Sequence, residues 1–400
     1  MNLSAIFSQV AHKRLVKVDL PKRGSNQHEF NGVSALKTFF GTNKKVQGSL
    51  HWHFFGDDQE PAQEDNKFTF YDARAKSNEQ TGRSEWRFYY YGSFLARVGV
   101  GDWFVLAKAK SGQLFALVFQ CNSGWERAAH SLFGVSPSKT SFDSIRQETL
   151  DSQRIELLQR QILAELDLEV TVPVVANDEE LMLRKFGRAF PTTKIMSDFA
   201  REQTSVDYKK PDEALVRWLD REEALFRAME NVIIRERLQK GFTGVDDFIG
   251  YSLSVQNRRK SRMGFALQNH LVELFTRQGL RFTPQARTEA NNKPDFIFPG
   301  QREYHDVAFD AALLVMLGVK STSKDRWRQV LTEADRIPKK HLCTLEAGIS
   351  VKQTDEMKRQ QLTLVVPTGL HATYTATQLS GMLSVTEFVE FVRSKQNKKT

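Results

Sequence analysis

The chain has 400 residues, 40% of them apolar and 26% charged, with a formal net charge of +9 and a pI near 9.4. That allows two domains and a buried core. No apolar run reaches membrane-span length, residues 1–20 lack a signal-peptide pattern, and Cys121 and Cys343 support neither a disulfide framework nor a cysteine zinc site, so a cytoplasmic protein without a membrane partner is expected.

The charge is uneven. Lys+Arg against Asp+Glu is 21 against 22 over residues 1–180, but 36 against 26 over residues 181–400. Residues 1–50 form a smaller basic patch, 8 against 2. A basic half suits a polyanionic partner, and equally a merely soluble surface.

Residues 46–121 read as β structure. Aromatic and β-branched runs at Leu50–Phe55, Phe68–Tyr71, Trp86–Tyr91, Trp103–Ala107 and Leu114–Phe119 are separated by Gly, Asn and Asp. Lys110-Ser111-Gly112-Gln113 marks a hairpin. The run predicts a β-rich, barrel-like or sandwich domain. Arg74, Arg83, Glu85 and Arg87 interleave with aromatics there, a surface suited to DNA phosphates and base edges, or simply a charged rim on an aromatic core. His51 and His53 share a strand face with no third ligand and read as a structural pair.

Helical spacing of Ile145, Leu150, Ile155, Leu158, Ile162 and Leu166 predicts a helix over 140–168. The pattern then breaks. The expected organisation is a DNA-binding domain over 1–170, a linker over 171–185 and a second domain over 186–400.

A helix is expected from about 212 to Lys240, stopped by Gly241, and another over Ser261–Gln278, ended by Gly279. The latter buries Leu267, Leu271, Leu274 and Phe275 on one face. Just before it, Arg258, Arg259, Lys260 and Arg262 put four cations in five residues, a repulsive cluster that an anion such as DNA phosphate would relieve. Ser261 would cap the helix.

Beyond Pro294 the pattern becomes α/β. Strands are expected at Asp295–Phe298, Leu313–Lys320, His341–Leu345 and Leu362–Val366. Helices fit at Lys324–Arg336, Val351–Gln360 and Val385–Ser394. This alternation predicts a mixed sheet flanked by helices.

Asp295 and Lys320 fall at the ends of neighbouring expected strands, and Glu333 falls on the helix that follows. Phosphodiester hydrolysis uses such groups: carboxylates hold a hard cation such as Mg²⁺, and an ammonium offsets charge building on phosphorus. By themselves the three do not make a site, because Pro-Asp turns and helix acids are common.

A longer ordered series adds to this. Lys240-Gly241-Phe242, Asn257 to Arg262, Asn292 to Pro299, Tyr304-His305-Asp306, Val319-Lys320, Lys324 to Gln329, Glu333-Ala334-Asp335 and Leu364 to Pro367 together resemble the catalytic domain of EcoRII-type type II restriction endonucleases. The resemblance covers about half the chain. It implies an α/β PD-(D/E)XK nuclease fold, Mg²⁺ held by Asp295 and Glu333, catalysis by Lys320, and roles in activity for Tyr304 and Arg259.

It also implies readout of C·G pairs by Lys324 and Asp325, hence a target with CC and GG ends. Arg326 belongs to the same DNA-contacting segment, and Arg328 is as well suited to phosphate. The residues themselves allow a plain charged helix start. A faint likeness of the first half to the family's effector domain implies a second DNA site that regulates cleavage.

Two positions depart from the pattern. The usual acid two residues before the lysine is Gly318, which the EcoRII branch shares. A family glutamate falls on Gln268, so the resemblance carries no second metal over.

The expected function is therefore Mg²⁺-dependent, sequence-specific cleavage of double-stranded DNA by a homodimer joined through its second domain, since near-palindromic sites call for two-fold symmetry. A nuclease that reads methylated bases, or an inactive DNA-binding regulator on the same fold, are the rival readings.

Overall fold

The computed structural model describes residues 2–20, 29–57, 59–75, 83–91, 97–136, 139–153, 159, 163, 176–321 and 327–398. It falls into two compact units. The first comprises Met1–Val170 with Ala347–Lys352 and Ala372–Thr375, and the second comprises Thr171–Glu346, Gln353–His371 and Ala376–Thr400.

The first unit is built on one eight-stranded sheet. Its strands are β1 (Phe7–Arg14), β2 (Glu29–Asn31), β3 (Val46–Gly56), β4 (Gln59–Asp72), β5 (Trp86–Tyr90), β6 (Trp103–Ala109), β7 (Leu114–Phe119) and β8 (Asp143–Ser144), in the order β2-β5-β4-β3-β7-β6-β1-β8. Only the β3–β7 pairing is parallel among these. The β6–β7 hairpin turns where Lys110–Gln113 was expected to turn, with Gly112 at φ 91°, a conformation that favours glycine.

Alternation along the strands divides the aromatics between two cores. Phe55, Trp103, Val105, Leu117 and Phe119 face the Gly124–Phe133 helix, whereas Trp52, Phe54, Phe104, Leu106 and Val118 pack with Phe30, Leu36 and Phe39. The sheet curls on itself. Phe30 of the terminal strand β2 meets Phe142, beside the opposite terminal strand β8, with ring centroids 5.4 Å apart. That is the geometry of the barrel-like module expected.

Strand β1 was not anticipated. Its sequence looked like part of a basic patch, yet His12 and Lys13 are buried, the latter 2.7 Å from Asp19. Of the helix expected over 140–168, Gln147–Ser152 is helical, and Ile155, Leu158, Ile162 and Leu166 lie outside the described residues.

The second unit begins with helices. Ala176–Phe186 is helical and buries Met182 against Phe199, Leu225 and Met229, so most of the expected 171–185 linker is packed structure. A helix at Thr193–Glu202 follows, then two long ones, Pro211–Lys240 and Val245–Arg277. Pro211 sits at the helix start, where its missing N–H costs nothing, and Gly241 ends that helix at φ 72°. The second long helix starts well before Ser261, which lies exposed in mid-helix and caps nothing. The expected apolar face of Leu267, Leu271, Leu274 and Phe275 is buried.

The sheet of this unit has strands β9 (Thr283–Pro284), β10 (Phe296–Phe298), β11 (Val315–Lys320), β12 (Lys340–Thr344) and β13 (Leu362–Val365), in the order β13-β12-β11-β10-β9. The β9–β10 and β10–β11 pairs are antiparallel, and β11–β12 and β12–β13 are parallel. Helices Val351–Arg359 and Val385–Gln396 stand where the spacing predicted them. The mixed, helix-flanked sheet is the α/β architecture expected. No helix among the described residues is long and apolar enough to cross a membrane.

Candidate active site

Pairing of Phe296 with Leu317 across the antiparallel β10–β11 ladder sets Asp295, just before β10, beside the end of β11. That end carries Val319 and Lys320. The Asp295 carboxylate accepts the Val319 backbone N–H through Oδ2 at 2.7 Å and the Gln285 side-chain amide through Oδ1 at 2.9 Å. Burial raises its pKa, while those hydrogen bonds and the Lys320 ammonium pull it back.

Glu333 reaches the same place by another route. The helix expected over Lys324–Arg336 is only Trp327–Leu331 among the described residues. Glu333 stands beyond it, in a turn whose next residue, Ala334, has φ 53°. Burial and the neighbouring Asp295 charge push the Glu333 pKa up to about 7, against the attraction of Lys320 and Lys340. Its Oε2 is buried with no hydrogen-bond partner among the described residues.

The structure thus brings Asp295, Lys320 and Glu333 together at one sheet margin. The donor set fits a hard divalent cation. Two carboxylates crowd each other, both are held above their usual pKa, and one buried oxygen is unsatisfied. No cluster of three or more His, Cys, Asp or Glu suited to a metal occurs among the described residues, so any cation here would complete its shell with water or substrate oxygens.

Gly318 explains why no acid precedes the lysine in the usual place. A Cβ there would meet Val330 Cγ2 at 2.9 Å and Cγ1 at 3.0 Å. Close packing of the Trp327–Leu331 helix on β11 closes that position, and the turn after the same helix delivers the second acid.

Of the other expected site residues, Tyr304 borders the turn after Glu333, its hydroxyl 3.4 Å from the Arg336 N–H, and the arginines pair elsewhere. The buried Tyr304 donates its hydroxyl to Glu289 Oε2 at 2.5 Å, and its pKa is raised, first by burial and then by that carboxylate. Arg259 forms hydrogen bonds to Glu230 of the preceding helix, Nη2 to Oε2 at 2.8 Å and Nε to both oxygens at 3.0 Å. Arg262 is buried against Glu223 and Glu222. Arg258 stacks over Phe190 at 4.5 Å. The Arg-rich cluster therefore finds much of its counter-charge within the helical layer, and the side chain of Lys260 lies outside the described set. Arg328 pairs with Glu356 at 2.9 Å and covers Trp327. Lys324, Asp325 and Arg326 lie outside the described residues.

In the first unit, Arg74 meets Glu85 at 2.6 Å, and Arg87 contacts Glu85, Glu29 at 3.2 Å and Asn31 at 2.8 Å. The hydrogen bonds from Arg87, then Arg74, hold the Glu85 carboxyl below its usual pKa. Arg83 stands next to this network in sequence. His51 pairs with Asp65 at 2.6 Å, and His305 Nε2 lies 2.9 Å from the Arg287 carbonyl.

Sequence reasoning missed Gln285, Glu289 and Lys340. Lys340 is buried and donates to the carbonyls of Ile337 at 2.8 Å and Ala334 at 3.4 Å. No local motif marks such contacts.

Residues 226–389 match the family model for the EcoRII C terminal domain, a segment that contains Asp295, Lys320 and Glu333. The type II restriction enzyme EcoRII of Escherichia coli is 40% identical over 230 residues, which are 57% of this chain and 56% of that enzyme. The match thus spans about half the length of that curated relative. Among solved structures, metal-depleted Ecl18kI in complex with uncleaved, modified DNA gives a TM-score of 0.45 at 17% identity, covering 56% of this chain and 86% of the other. The PspGI–substrate DNA complex gives 0.40 at 13%, covering 57% and 95%.

Proposed function

We propose that this chain is a type II site-specific endonuclease that hydrolyses phosphodiester bonds of double-stranded DNA in the cytoplasm, with Mg²⁺ held by Asp295 and Glu333. The observation that carries the reading is the buried, unpartnered Oε2 of Glu333 beside Asp295 and Lys320, inside the segment that matches the EcoRII C terminal domain. A bound divalent cation would polarise the scissile phosphate and favour a hydroxide nucleophile near neutral pH.

The chain's own groups do the rest. Asp295 is locked between Val319 and Gln285, so its orientation is set before any ligand arrives. Lys320 follows Val319 directly, and its ammonium offsets the charge that builds on the phosphoryl oxygens. Glu333 completes the carboxylate pair. DNA readout is assigned to Lys324, Asp325 and Arg326, with a target bearing CC and GG ends, and Arg328 contacts phosphate if it leaves Glu356. The first unit, with Arg74, Arg83, Glu85 and Arg87 on its rim, binds a second DNA site and regulates cleavage.

The active form is a homodimer. Val245, Phe248, Ile249 and Leu253 are exposed on one long helix, with Leu238 exposed near the end of the helix before it, an apolar surface suited to a second copy.

The test is incubation of the protein with a plasmid library and Mg²⁺, followed by sequencing of the ends. Ends at one short sequence are expected, and no ends from the Lys320→Ala variant. Wild-type-like cleavage by that variant would refute the site. Sedimentation should show a dimer that Phe248→Glu dissociates.

A further inference from the structure

Glu333 sits in a turn rather than on a helix, so something other than helical geometry must hold its carboxylate. The turn follows a helix of only five residues and includes Ala334 in the left-handed region, at φ 53°. Left alone, such a segment would sample many conformations. Here its backbone is tied at several points.

The Thr332 carbonyl accepts from the Asn292 side-chain amide at 2.8 Å. The Asp335 N–H donates to Glu289 Oε2 at 3.2 Å, the same oxygen that takes the Tyr304 hydroxyl. The Arg336 N–H reaches that hydroxyl at 3.4 Å, and its guanidinium binds the carbonyls of Asp306 and Phe309 at 3.0 and 3.1 Å. From below, the buried Lys340 ammonium holds the carbonyls of Ala334 and Ile337. These ties fall on both sides of Glu333, and none of the contacts involves its own carboxylate.

We propose that Glu289 and Lys340 are positioning residues, which fix the Thr332–Ile337 turn so that the Glu333 carboxylate stands beside Asp295 ready to bind a divalent cation. The proposal rests on the endonuclease reading for its biological purpose, but its physical content is the cation affinity of the Asp295–Glu333 pair. Glu289 acts through the Asp335 N–H and Lys340 through two carbonyls. Neither touches substrate.

The experiment uses the full chain and Mn²⁺ as probe, with binding read by electron paramagnetic resonance, folding by thermal melting, and plasmid cleavage across a Mn²⁺ titration. The variants are Glu289→Ala, Glu289→Gln, Lys340→Met and Tyr304→Phe. Supporting groups around metal ligands commonly govern affinity by 10- to 100-fold, so Glu289→Ala and Lys340→Met should weaken Mn²⁺ binding by about tenfold or more. Glu289→Gln keeps an acceptor for the Asp335 N–H and should stay within about threefold of the wild type by the same measure.

Cleavage midpoints should move in parallel with binding. Tyr304→Phe removes one hydroxyl, and should weaken binding less than Glu289→Ala even if that variant folds poorly. A lower melting temperature with unchanged Mn²⁺ affinity in the folded variants would overturn the proposal and leave a merely structural role. A wild type that binds Mn²⁺ yet never cuts DNA would refute the endonuclease reading alone, since the affinities would still decide the positioning.

Discussion

The carboxylate of Asp295 accepts the backbone N–H of Val319 at 2.7 Å, which fastens the acid just before β10 to the residue before Lys320 on β11. One hydrogen bond thus sets the spacing between the acid and the ammonium of the proposed site. A charge-assisted bond of this kind is stronger than a neutral one and is protected by burial.

Asp295→Asn keeps an oxygen able to accept that N–H but removes the charge. Cleavage should fall by at least about a hundredfold, while folding is retained because the substitution also removes a partly desolvated anion. Plasmid nicking at saturating Mg²⁺, set beside circular dichroism, checks both halves. Loss of the fold would show that the charge itself is structural.

Glu333 should act against stability. Its pKa is about 7 in the folded chain and 4.5 when exposed, so the native state binds the proton more tightly. The stabilisation from that proton is complete below pH 4.5 and is lost as pH rises through 7. Glu333→Gln should therefore melt about 5 °C higher than the wild type at pH 8, with the gap closing towards pH 4.5, while cleavage is abolished. At subsaturating Mg²⁺, wild-type cleavage should climb as pH passes 7 and the carboxylate becomes free to bind. Equal melting temperatures at pH 8 would mean that Glu333 is better solvated than its setting suggests.

Gly318 lies two residues before Lys320 on β11. Gly318→Ala should destabilise by about 1–3 kcal/mol, since its Cβ would fall 2.9 Å from Val330 Cγ2. Gly318→Glu should lose activity rather than gain a ligand. Val330→Ala in the Gly318→Ala background should recover part of the loss, and a double-mutant cycle by thermal melting would measure that coupling. Additive effects would place the clash elsewhere.

The arginine cluster divides by burial. Arg262→Ala removes one cation from the buried Glu223 and Glu222, which keep Arg227 and His270 as neighbours, and should cost about 1–3 kcal/mol, with little change in DNA affinity of the folded fraction. Arg258→Ala loses the contact with Phe190 and whatever phosphate it meets. Fluorescence-anisotropy binding at several salt concentrations separates these outcomes. If Arg262→Ala melts normally but flattens the salt dependence of DNA binding, that arginine is a phosphate contact after all.

Much of this protein was written locally. The continuous apolar run Leu114–Phe119 and the 3.6-residue spacing through Leu267, Leu271, Leu274 and Phe275 report how a segment is buried, and the structure buries the first on both faces and the second on one. Because strands β10 and β11 were both legible, so was the nearness of Asp295 to Lys320. What only the tertiary structure decided was the choice of partners. Arg259 binds Glu230 and Arg262 binds Glu223, although in sequence they stand among other cations that suggest a phosphate clamp. Glu333 looks like a helical acid until Val330 packs on Gly318 and a short helix gives way to a turn held by Glu289 and Lys340. Periodicity is a property of neighbouring residues, whereas charge pairing and steric exclusion depend on groups that folding alone brings together.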